Sequence, residues 1–210
     1  VSNGYTRLAY RAEASLVFNG IGWQASCKLG VKAMQKVLMF GCLLGVLAPL
    51  PASTLQQLSL NDMIRLSTAI VHGKVQQTVS SYSGSIIYTH YQVQVSETLK
   101  GPAASQIDIA VPGGAASRYQ QTFAGAPNLA PGQDYVLFLW TSKSGLTQII
   151  GLSQGLFVVS ANSSGQLMVT RGPSTERMVN GTGQPVSDSA MQMLLSDLRS
   201  LVHTTLGGAK

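Results

Sequence analysis

Cysteine is almost missing from this chain: its 210 residues contain two, Cys27 and Cys42, both in the first quarter. Beyond residue 42 there is no thiol to form a disulfide or hold a metal, so a hydrophobic core must supply the stability. Charge is sparse as well, and it is unevenly placed. Residues 1–52 carry Arg7, Arg11, Lys28, Lys32 and Lys36 against Glu13 alone, which is +4 of the formal +6. The remainder has nine basic and seven acidic residues, so it lacks the basic footprint of a nucleic-acid binder. A long apolar run is lacking too. Val37 to Ala52 is sixteen residues broken by Pro49 and Pro51, short of the roughly 20 residues that span a bilayer.

What that segment does resemble in layout is a leader. Met34 opens MQKVLMFGCLLGVLAPLPAS, with Lys36 as a basic start, Val37–Leu47 as the apolar centre and a Pro/Ala/Ser exit. This predicts a secretory signal peptide over 34–53, cleaved after Ala52 or Ser53. Translation is then expected to begin at Met34, with 1–33 a non-native or unstructured extension. A lipoprotein reading through Cys42 fits less well, because the apolar run continues past it. The mature chain is expected outside the cytoplasm, periplasmic or extracellular, with no stable membrane span after cleavage.

The mature part is organised around Asn128–Phe157. Pro131-Gly132 predicts a turn, Tyr135–Trp140 is apolar on both strand faces, Lys143-Ser144-Gly145 predicts a second turn, and Gln148–Leu152 returns as a strand. A strand with two apolar faces needs cover on both, which places it in the middle of a barrel or sandwich. Ahead of it, Ser59 and Asp62 have capping-box spacing for a short helix with Leu60, Met63, Ile64 and Leu66 on its apolar side. Thr68–Val79 reads as a strand. In Ile86–Leu99, Ile87, Thr89, Tyr91, Val93 and Val95 alternate with Tyr88, His90, Gln92, Gln94 and Ser96, a half-buried strand with one wet face. Ile107, Ile109 and Val111 begin another strand. Pro112–Gln133 has no clear period beyond a short strand near Tyr119–Phe123, and a stretch of that length is either a binding loop or a Gly/Pro-rich crossover. Leu156–Val159 is a strand, and Gly165–Val169 can pair beside it. The predicted domain is 54–160, with 161–186 a Gly/Ser-rich linker or edge hairpin. Apolar residues at 191, 194, 195, 198, 201 and 202 predict an amphipathic helix over 187–206, capped by Ser187 or Asp188, with Met191 and Met193 filling core.

Few residues carry chemistry. Gly151-Leu-Ser153-Gln-Gly155 fits the G-x-S-x-G of a nucleophile elbow, and Asp188 or Asp197 followed by His203 have a permitted order. An elbow needs a helix after the turn, whereas Leu156–Val159 are strand formers, so Ser153 reads as a turn residue and no catalytic residue is assigned. His72 and His90 lie on neighbouring strands without a third ligand, so no metal site or cofactor is assigned. Acids are scattered singly, and Gly113-Gly114 leads to no phosphate-binding Lys. Asn162-Ser-Ser and Asn180-Gly-Thr match the glycosylation pattern.

The succession Thr68-Ala-Ile-Val-His-Gly-Lys-Val75, Thr89-His-Tyr91, Val95-Ser-Glu-Thr-Leu-Lys-Gly101 and Leu129–Phe138 resembles secreted bacterial domains. It is also similar to the netrin-type module of tissue inhibitors of metalloproteinases (NTR-like). That resemblance implies an OB-like barrel. The inhibitors' mature N-terminal cysteine and disulfides have no counterpart here, so their inhibitory residue does not transfer. The expected protein is mainly β, a small OB-like barrel with a short N-terminal helix and a C-terminal amphipathic helix. Its expected role is a non-catalytic binding or accessory module whose partner is a secreted protein such as a protease, or a glycan. Two other classes remain: a secreted serine hydrolase using Ser153, and an OB-type oligosaccharide binder using Tyr88, His90 and Gln92.

Overall fold

The computed structural model describes residues 54–207; the proposed extension and signal peptide lie outside them. The domain is mainly β. Strands β2 (Ala69–Ser83), β3 (Ile86–Lys100), β4 (Gln106–Pro112), β7 (Asp134–Thr141), β9 (Leu156–Ala161), β10 (Leu167–Arg171) and β13 (Met191–Leu194) form one sheet in the order β13-β10-β9-β7-β2-β3-β4, with β8 (Thr147–Ile149) paired to β7. A short hairpin of β5 (Gly114–Ala116) and β6 (Tyr119–Gln121) stands apart. So does a small sheet of β1 (Thr54–Gln56), β11 (Arg177–Val179) and β12 (Pro185–Val186). Two helices complete the fold, α1 (Leu60–Leu66) and α2 (Leu195–Gly207). Among the described residues no helix is long and apolar enough to cross a membrane.

The two-faced strand is β7, and it lies at the centre of the sheet order. Tyr135, Leu137 and Leu139 enter one core with Val71 and Val75 of β2, Tyr91 and Val93 of β3, and Ile109 and Val111 of β4. Val136 and Phe138 enter a second core, built with Phe157 of β9, Met63 and Ile64 of α1, and Leu195, Leu198 and Val202 of α2. Helices therefore cover one face, and the curled sheet itself encloses the other. The expected closed barrel is not formed. No ladder joins β4 to β8, although these strands lie side by side, so the sheet stays open.

Local chemistry sets the element ends. Ser59 Oγ accepts from Asp62 N at 3.1 Å and Asp62 Oδ2 from Ser59 N at 3.3 Å, the reciprocal box its spacing predicted. The last carbonyls of α1 accept from Lys100 Nζ, at 2.7 Å for Ile64 and 2.9 Å for Arg65, a cation where the helix dipole favours one. Gly84 begins the two-residue loop between β2 and β3 with φ +64°, the sign that matches the twist of a tight hairpin.

One segment differs from its sequence pattern. Met191–Leu194 is a strand antiparallel to β10, and α2 begins only at Leu195. Asp188 is no helix cap, because it is spent on Arg171 at 2.7 Å and on Ser174 N at 2.8 Å. Residues 161–186 take the hairpin alternative: β10 pairs antiparallel with β9, as expected for Gly165–Val169, and β11 pairs antiparallel with β12.

Tyr91 shows how polar tips are housed in the first core. Its hydroxyl donates to Asn128 Oδ1 at 3.1 Å. Burial raises its pKa above the usual 10.0, a hydrogen bond with the Leu129 backbone opposes the shift, and neighbouring Tyr135 adds to it. A phenol that holds its proton more tightly when folded contributes stability that is whole below about pH 10 and is lost as pH rises through the folded value. Thermal melts across alkaline pH should therefore show a smaller decline for Tyr91→Phe than for wild type.

Candidate functional site

The helix-covered face of the sheet changes character along its length. Under α1 and α2 it is apolar, with Ile70 opposite Phe138. His72, opposite Glu97 and Val136, is still buried, and its Nε2 makes no hydrogen bond. Arg199 of α2 closes this border with a bidentate pair to Glu97, at 2.7 and 3.0 Å on Oε2 and 2.8 Å on Oε1. That hydrogen bond holds the Arg199 guanidinium above its ordinary pKa.

Beyond the helices the same face becomes an ordered polar strip. A β-bulge between Val75 and Gln77 changes the alternation of β2, so Val79 stands opposite His90 and Gln77 opposite Gln92. On the far side β4 sets Asp108 opposite Gln92 and Ala110 opposite His90. Asp108 gathers its neighbours. Its Oδ2 contacts His90 Nδ1 at 2.8 Å and its Oδ1 accepts from Gln92 Nε2 at 2.8 Å. Oε1 of Gln92 and Nε2 of His90 make no hydrogen bond within the described residues. Tyr88, opposite Ser81 and Pro112, puts a half-buried ring at the end of the strip.

Sequence alternation thus places Tyr88, His90 and Gln92 together, and the structure brings Asp108 to them. Asp108 could have been found from the same pattern, since it alternates with Ile107 and Ile109 on the next strand. His72 does not join His90. It faces Glu97, seven positions along β3 from His90, roughly 23 Å at the usual strand rise. Among the described residues no group of three or more His, Cys, Asp or Glu could hold a metal ion.

The long stretch 112–133 serves as a brace. Gln121 acts as a substitute for a strand partner: its Oε1 accepts from Ile87 N at 2.7 Å and its Nε2 donates to Ser85 O at 3.0 Å. Thr89 Oγ1 donates to Gly113 O at 2.7 Å and lies 3.0 Å from Ser80 Oγ. A Cβ on Gly114 would collide with both hydroxyl side chains, so only glycine lets β5 approach this closely. The hairpin of β5 and β6 thereby backs the polar strip from the opposite face.

Ser153 sits in a 3-10 turn over Leu152–Gly155 that interrupts the strand opposite β7. β8 pairs with Leu139–Thr141 and β9 with Tyr135–Leu137, on either side of that turn. No helix follows Ser153, Asp188 is committed to Arg171, and His203 lines a groove with Glu97, Thr98, Leu99 and Leu206. Asp197 is exposed in the first turn of α2. The triad geometry is not assembled. The turn's structural residue is Gln154, whose Oε1 accepts from Leu58 N at 2.8 Å and whose Nε2 donates to Gln56 O at 3.0 Å.

Asn162 and Asn180 each close a hairpin loop with their own side chain. Asn162 Oδ1 accepts from Ser164 N and Gln166 N, and Asn180 Oδ1 accepts from Thr182 N and Gln184 N. Comparison with protein-family models, with curated proteins and with solved structures finds no match for this chain.

Proposed function

We propose that this chain is an exported, non-catalytic binding module that holds an oligosaccharide on the outer face of β2, β3 and β4. The observation that carries this reading is the Asp108 cluster, in which one carboxylate fixes both His90 and Gln92. A carboxylate has more acceptor sites than these two contacts use, and a Gln carbonyl and an imidazole nitrogen stand beside it. Vicinal sugar hydroxyls both donate and accept, so such a row suits them, while the Tyr88 ring offers an apolar plane for the C–H face of a pyranose. Preorganised side chains lose less entropy on binding than loose ones. Because the strip is held by a sheet backed by the brace, little rearrangement is needed.

The enclosed core shared by β8, β7, β2, β3 and β4 supports an OB-like and NTR-like kinship with one seam left unpaired. The apolar segment at Val37–Leu47 supports export.

Titration calorimetry of the purified chain against cell-envelope polysaccharide fragments tests the reading. Gln92→Ala should weaken binding about tenfold, and Tyr88→Ala by at least as much, a decade corresponding to about 1.4 kcal/mol. Both variants should melt like wild type, since neither residue is fully buried. Binding unchanged in both variants, or absent from wild type, would refute the assignment.

A further inference from the structure

The outer edge of β2 beyond Val75 has no strand partner among the described residues. β7 pairs with β2 only from Ala69 to Lys74, and the last backbone bonds on that side join Val75 to Gly132 and Gln133. Gln77–Ser83 is paired to β3 alone. The edges of β4, β12 and β13 carry the usual protections. β4 contains Asp108 and ends in Pro112, β12 begins with Pro185, and β13 is four residues long and runs directly into α2. Gln77-Thr-Val-Ser-Ser-Tyr-Ser83 has no charge and no proline. It also exposes apolar surface, with Val79 at 50% and Tyr82 at 45%. Tyr82 reaches the β5–β6 hairpin, its hydroxyl donating to Ala116 O at 3.5 Å, and that hairpin carries Tyr119 at 63% exposure.

We propose that this edge is a strand-addition interface for a second copy of the chain, Gln77–Ser83 pairing antiparallel with its own image across a two-fold axis. A segment that meets itself around such an axis brings each of its charges near a like one, so an uncharged edge suits this partner. Pairing centred on Ser80 sets Val79 of one copy opposite Ser81 of the other, and Tyr82 opposite Thr78. Each exposed apolar side chain then lies beside a small one that leaves room for it. The main-chain donors and acceptors of the edge are satisfied across the axis, as in other strand-addition complexes.

Sedimentation velocity of the purified chain over a dilution series tests this. Wild type should dimerise reversibly at micromolar concentrations. Val79→Lys combined with Ser81→Lys places lysines opposite one another and should weaken the dimer at least about tenfold. Its circular dichroism and melting temperature should stay those of wild type at monomeric concentrations, because both side chains are exposed. Val79→Thr combined with Ser81→Thr keeps the edge uncharged and should keep the dimer. A wild type that stays monomeric, including one that sediments with a foreign peptide instead, overturns the proposal. So does a lysine variant that still dimerises.

Discussion

Leu137→Asp is expected to abolish folding of the domain. Leu137 is fully buried in β7, between Val71 of β2 on one side and Leu156 of β9 on the other. Removing a buried leucine forfeits about 1.5–3 kcal/mol of transfer energy. An unpaired carboxylate in the same place adds several more, since among the described residues no cation belongs to this core. Together these approach the whole stability of an ordinary domain, about 5–15 kcal/mol. Near-ultraviolet circular dichroism should lose its native signal and heating should show no cooperative transition. Leu137→Met, which nearly preserves volume, should cost less than about 1.5 kcal/mol. A Leu137→Asp protein that melted like wild type would remove β7 from the centre of the fold.

The second large effect is expected at a pair whose importance is invisible from the surface. Arg171 and Asp188 have side chains only 4% and 3% exposed and meet at 2.7 Å. Arg171 also donates to Ser189 O at 3.1 Å and to Gln154 O at 3.4 Å, and its guanidinium lies 6.0 Å from the centre of the Phe157 ring. Asp188→Ala leaves that cation buried without its counter-charge and leaves Ser174 N without an acceptor. The expected loss is about 3–5 kcal/mol, read as a lowered urea midpoint. Arg171→Met combined with Asp188→Leu removes both charges together. It should be more stable than Asp188→Ala alone, because the penalty belongs to the stranded ion rather than to the missing pair. If the double variant were the less stable, the pair would itself be a net source of stability.

These two sites mark where the sequence was readable and where it was not. Leu137 announces itself, since six consecutive apolar residues admit few other structures, and Ser59 with Asp62 spell out their own helix start. The strip of Tyr88, His90 and Gln92 was legible because polar and apolar residues alternate cleanly along β3. By contrast, Met191 satisfies a helical stripe and also packs into the core that α2 covers, so periodicity alone could not separate the end of a strand from the start of a helix. The information that decides it is Asp188, drawn away from the helix by an arginine seventeen residues earlier. The open seam between β4 and β8 was likewise hidden. It depends on the Leu152–Gly155 turn, which cuts β8 to three residues, and such an interruption looks like ordinary turn chemistry in the sequence.

The strand β1 imposes an order of events. Its three residues pair in parallel with β11, about 120 residues later in the chain. The Gln154 amide then fastens the strand's last residue, Gln56, and Leu58 just beyond it. Closing so large a loop for so few hydrogen bonds is unfavourable until nearly everything between has formed, whereas the β2–β3 hairpin can zip from its own two-residue turn. β1 should therefore dock last and detach first, with its amides exchanging with solvent ahead of those of β7. If the proposed export involves trimming before Thr54, the enzyme would then meet a strand that is still undocked after the body of the domain has become resistant to proteolysis.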